Sequence, residues 1–177
     1  GVTVHEFMHA WYHTVLANNE SLYAWMDEGF TSFYDMLCES AIMGTEDPYS
    51  SFYSRYYQLV SSGVEEPLTT HADRFQYNFA YGIASYSKGA VFLAQLGYII
   101  GANNLKKTIK RYYEMFKFSH PTPNDFKRIA EKVSGMQLEW YLNDWVRTTN
   151  TIDYGILQVE EKDQKTKIAL ERIGNLP

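Results

Sequence analysis

The stretch His5-Glu6-Phe7-Met8-His9 decides how the rest of the chain is read. Its pattern is H-E-x-x-H. On a helix, positions i and i+4 lie one above the other on one face. Two imidazoles placed this way can hold one metal ion between them. Glu6 stands beside that face, close enough to reach a water on the metal. Zinc sites of this kind take a third protein ligand and leave the fourth position open. Working outward, Glu28 offers that ligand within Trp25-Met26-Asp27-Glu28-Gly29-Phe30, with eighteen residues between His9 and Glu28.

By chance, H-E-x-x-H arises in roughly one chain in a hundred of this composition, and a Glu at one fixed later position lowers the odds about tenfold. The competing reading is a surface helix with two solvated histidines. A metzincin would continue as H-E-x-x-H-x-x-G-x-x-H, but Tyr12 stands at the glycine position and Val15 at the third histidine. His13 falls one turn after His9, yet one straight helix cannot wrap three successive turns around one ion. It reads as a packing or surface residue. A glutamate-ligated site, a gluzincin, is what the pattern leaves.

The composition is that of a folded domain with a sizeable core: 177 residues, 45% of them apolar and 16% aromatic. A net charge of −5 and the lack of a long basic run give nucleic acid binding no electrostatic support. Cys38 is the only cysteine, so no intrachain disulfide can form. The longest apolar run, Ala90 to Ala102, is interrupted by Gln95 and too short to span a bilayer, so no membrane span is expected. The sequence begins four residues before His5, which reads as a piece of a larger protein. The missing leader therefore does not make the protein cytoplasmic, and a periplasmic or extracellular home stays open. Oligomeric state is not legible.

Periodicity divides the chain mainly into helices. The first is expected over residues 2–16 and the second from about Trp25 to Ile42, stopped by Gly44. A third opens at Asp47-Pro48, with Phe52, Tyr56 and Leu59 inward, and stops at Gly63. Residues 64–80 have no period and contain Pro67. Helix resumes over about Ile83 to Ile100. Asn103 can cap the next, whose apolar face carries Leu105, Ile109, Tyr112 and Phe116. Thr122-Pro123-Asn124-Asp125 has the form of a helix start, and Gly135 that of its stop. A last helix spans about Leu138 to Thr148. Beyond it, Ile156 to Glu161 and Lys165 to Ile173 alternate around a turn at Lys162-Asp163-Gln164, as a hairpin does. A hairpin is marginal alone, so it is expected to open a further β-domain.

Amide hydrolysis also needs a donor for the oxyanion that forms. A phenol facing the metal can serve, but composition does not single out one tyrosine among 15. Here the chain resembles a known family. His5-Glu6-x-x-His9, the eighteen-residue spacing to Glu28, and Tyr86-Ser87-Lys88-Gly89 together resemble the gluzincin aminopeptidases, the aminopeptidase N and leukotriene hydrolase family, most of all its bacterial branch. The segment at Glu28 is similar to that family's W-x-x-E-G-F.

The resemblance implies the helical half of a thermolysin-like catalytic domain over residues 1–153, mainly α, and a hairpin over 154–177 that starts a C-terminal β-domain. It implies one zinc ion per intact chain on His5, His9 and Glu28, with Glu6 as base and Tyr86 as oxyanion donor. Tyr81 corresponds to a second active-site tyrosine that contacts substrate. The implied function is zinc-dependent hydrolysis of peptides, removing N-terminal residues. The departures are a Gly-x-Met-Glu-Asn stretch that family members carry before the zinc motif, and Tyr23 where many have Asp. That stretch anchors the substrate's amino group, so the chain by itself is expected to be inactive. Alternatives are a non-catalytic binding scaffold on the same fold, or hydrolysis of a small non-peptide substrate. Lys88, His120 and Arg147 read equally as cleft residues or as salt-bridge and surface residues.

Overall fold

A computed structural model of the chain describes residues 1–44 and 47–176. Helix α1 spans Val2–Met8. After a long irregular stretch, a π-helical segment, Trp25–Gly29, runs directly into α2, Phe30–Met43. Helix α3 is Ser50–Ser62. Helix α4, Asn78–Gly82, continues through a second π-helical segment, Ile83–Lys88, into α5, Gly89–Ile100. Helices α6 (Ala102–Phe116), α7 (Pro123–Ser134) and α8 (Glu139–Arg147) follow. Strands β1 (Tyr154–Lys162) and β2 (Lys165–Arg172) form an antiparallel hairpin. No described helix is long and apolar enough to cross a membrane.

Aromatic side chains hold the helices together. Trp25 is fully buried and meets Phe92 of α5 edge-on, with ring centroids 4.9 Å apart. Phe30 of α2 meets Phe126 of α7 in the same way at 5.0 Å. Phe92 also packs on Tyr141 of α8, whose hydroxyl donates to the Phe92 carbonyl at 2.6 Å. Such rings combine large apolar area with favoured edge-to-face geometry, and the one buried phenol here has its acceptor.

Most expected boundaries fall within two residues of the observed ones, because local chemistry sets them. The Asp125 carboxylate accepts from both the Thr122 N–H (2.9 Å) and its hydroxyl (2.7 Å), which caps α7. Gly63 and Gly135 end α3 and α7 in the left-handed region, φ 71° and 75°, where a side chain would be strained. In the hairpin, Asp163 and Gln164 both take positive φ, 52° and 60°, so the turn is a two-residue one that follows the strand twist.

Two expectations fail. The first helix does not run from 2 to 16. It ends at Met8, and His13 has φ 97°. The backbone here is claimed by distant partners: Phe118 N–H donates to Val15 O at 2.7 Å and Ala17 N–H to Ser119 O at 3.1 Å, which seats Leu16 in the core. Nor does Asn103 cap α6. Gly101 alone joins α5 to α6, leaving no room for a side-chain cap, and the Asn104 amide instead donates to Ile100 O at 2.8 Å.

Candidate active site and metal centre

Although α1 ends early, His9 keeps helical angles (φ −59°, ψ −18°) and its N–H reaches His5 O at 3.3 Å. The i, i+4 relation therefore survives, and the two rings meet edge-on with centroids 4.9 Å apart. Glu28 arrives from the first π-helical segment. Its Oε2 lies 3.1 Å from His5 Nε2 and 3.4 Å from His9 Nε2. Ligands about 2.1 Å from a tetrahedral ion are about 3.4 Å apart, so this spacing suits one zinc.

The outward nitrogens strengthen the fit. His5 Nδ1 faces Asp35 Oδ2 at 3.7 Å. His9 Nδ1 faces Asp27 Oδ1 at 3.0 Å, Tyr12 O at 3.2 Å and Thr31 Oγ1 at 3.3 Å. Carboxylates and a carbonyl around Nδ1 favour the proton there and leave the Nε2 lone pairs pointing inward, which is what a metal needs. Sequence reasoning missed Asp27, Thr31 and Asp35. The available signal was position: Asp27 adjoins Glu28, and Asp35 follows it by two helical turns.

Tyr86 comes from the second π-helical segment. Its ring stacks on His5, with centroids 5.6 Å apart, and its hydroxyl lies beside the Glu28 carboxylate. Burial first, then that negative neighbour, push the phenol well above its usual range. Tyr81 is half-buried, edge-on to Phe75, and its phenol is likewise raised by burial and by the charges of Glu28 and Asp27.

The two π-helical segments can cross this closely because one glycine, Gly29, ends the first and another, Gly89, directly follows the second. A Cβ on Gly29 would stand 2.7 Å from Gly89 Cα, and one on Gly89 would stand 2.9 Å from Gly29 Cα. One glycine follows Glu28 and the other follows Lys88, so the backbone contact carries Glu28 and Tyr86 to the same place. π-helical turns are uncommon and recur at functional sites.

Glu6 is exposed on α1 and makes no ion pair or hydrogen bond among the described residues. Lys88 is not a cleft residue. It is buried, donates to Glu65 at 2.7 Å, and lies 5.6 Å from the centre of the Tyr56 ring. His120 is held by the Ala17 carbonyl at 2.7 Å, and Arg147 is exposed. An apolar cavity of about 650 Å³, lined by residues such as Phe33, Tyr34, Leu105 and Ile109, contains none of the site residues.

The sequence pattern of the Peptidase family M1 domain matches residues 1–145. The chain belongs to this family. Among curated family relatives, the glutamyl aminopeptidase of Sus scrofa is 26% identical over 176 residues, covering 90% of this chain and 17% of that protein. The probable aminopeptidase 2 of Sulfurisphaera tokodaii is 30% identical over 88 residues, 50% of this chain and 11% of that protein. The fold matches the crystal structure of the M1 zinc metallopeptidase of Deinococcus radiodurans with a TM-score of 0.69 at 22% identity, covering 83% of this chain and 32% of that one. The chain thus spans under a third of the length of these M1 relatives.

Proposed function

We propose that this chain carries the catalytic centre of a zinc-dependent peptide hydrolase that removes N-terminal residues. The observation that carries the reading is the convergence of His5 Nε2, His9 Nε2 and Glu28 Oε2, with the Tyr86 ring stacked on His5. Family membership supports hydrolysis of peptides, and the aminopeptidase names of the relatives support the N-terminal end.

A zinc ion held by His5, His9 and Glu28 would supply Lewis acidity, polarising the scissile carbonyl and acidifying water. The chain's own residues do the rest. Glu6 accepts the proton of the attacking water and returns it to the leaving amine. Tyr86 keeps its phenol proton at neutral pH and donates it as a hydrogen bond to the oxyanion. Asp27 and Asp35 hold the two imidazoles in the tautomer that points Nε2 inward. Tyr81 contacts the substrate beside them.

The test joins metal analysis to product analysis, on the chain and on any longer protein that contains it. Zinc should be retained through dialysis, and His9→Ala should remove it. Peptides given to the longer protein should yield free N-terminal amino acids. Internal cleavage would overturn the aminopeptidase assignment, and a zinc-loaded longer protein without any peptide hydrolysis would overturn the enzyme reading.

A further inference from the structure

Beside the first donor set lies a second. His13, Glu20 and Asp27 each turn a ligand atom to within 4.8 Å of the others. His13 Nε2 is 2.9 Å from Glu20 Oε2, and His13 Nδ1 is 3.9 Å from Asp27 Oδ2, too long for a hydrogen bond. Asp27 is only 5% exposed. Its Oδ1 is taken up by His9, but the His13 Nδ1 is buried without a hydrogen bond among the described residues. Burying an imidazole nitrogen in this state is costly, and such groups normally have a partner. A cation between the His13 imidazole and Asp27 Oδ2 would be that partner.

We infer that His13, Glu20 and Asp27 form a second divalent-cation site, next to the His5–His9–Glu28 centre and distinct from it. One imidazole nitrogen with two carboxylate oxygens suits a borderline ion such as zinc better than magnesium or calcium, which favour all-oxygen sets. Asp27 couples the two sites, because its Oδ1 faces His9 and its Oδ2 faces His13. Two divalent ions on either side of one carboxylate repel each other. The second site also relies on Glu20, whose side chain is 60% exposed, so it binds more weakly than the first.

The test is equilibrium binding of zinc to the full, tag-free chain after chelator treatment, read as equivalents bound. The wild type should bind two, one tightly and one weakly. Glu20→Gln changes an exposed side chain and should abolish the weak equivalent while keeping the tight one. His13→Gly, which suits the positive φ at that position, should do the same. A wild type that binds a single equivalent, or a second one that survives both variants, would overturn the site. A His13 that merely bridges two carboxylates as an imidazolium gives that second result. His5→Ala separates this inference from the reading of the first centre: it takes a ligand from the first set alone and should leave the weak equivalent in place. Loss of the weak equivalent in His5→Ala would mean that the second ion depends on the ligands of the first centre, and would overturn a distinct second site.

Discussion

Glu6 and Tyr86 are both asked to handle protons, and each can be disarmed by a change of one or two atoms. Glu6→Gln should keep the metal and lose peptide hydrolysis, because the amide can hydrogen-bond water but cannot accept its proton. Zinc content and turnover measured on the same preparation check this, and an active Glu6→Gln would place the base elsewhere. Tyr86→Phe removes one hydroxyl while the ring keeps its stack on His5. A fall in kcat of about a hundredfold is expected, the scale for one oxyanion donor, with zinc affinity retained. A change confined to KM would make Tyr86 a substrate-binding group instead.

Among the elements, the crossing of the two π-helical segments positions the site. At Gly29 the added methyl of an alanine would press on Gly89 backbone, which has no rotamer to give way. Gly29→Ala should destabilise the fold by about 1–3 kcal/mol, as overpacking does, and should also weaken zinc binding by moving Glu28 relative to His5 and His9. Gly82 is the control. It is helical, and nothing lies within 4 Å of where its Cβ would be, so Gly82→Ala should be neutral or slightly stabilising. Thermal unfolding of the two variants compares them directly, and equal melting temperatures would remove the crossing from the account.

Across the whole molecule, the Lys88–Glu65 pair joins the second π-helical segment to the irregular stretch after α3, and Lys88 Nζ also reaches Thr148 O beyond α8 at 3.4 Å. Both side chains are almost fully buried. Glu65→Gln leaves a buried cation without its anion and should cost about 3–5 kcal/mol at neutral pH. Burial already holds the Lys88 ammonium below its usual range, and Glu65 opposes that shift. Without Glu65, folded Lys88 gives up its proton more readily than the unfolded chain does. Stability of Glu65→Gln should therefore rise with pH, and its deficit against wild type should shrink. Denaturant unfolding at neutral and at alkaline pH reads this out, and a deficit independent of pH would mean that Lys88 stays charged.

The sequence by itself determined what depends on near neighbours. His5 and His9 are related by one helical turn, and that relation holds in the structure although α1 stops at Met8. The Thr122–Asp125 box, the stops at Gly63 and Gly135, and the tight hairpin turn are equally local, since each is fixed by φ, ψ and side chains within a few residues. The eighteen-residue spacing suggested Glu28 but carried no geometry. Tertiary structure decided what depends on contacts between distant segments. It ended α1 early, because residues 15–17 bond to the 118–119 backbone. It buried Lys88, which composition left open between cleft and salt bridge. It brought Asp27, Thr31 and Asp35 behind the imidazoles and set Tyr86 on His5. The physical reason is the Gly29–Gly89 approach, in which two backbones nearly touch. A glycine in sequence shows that a side chain is absent, and only the fold shows what occupies its place.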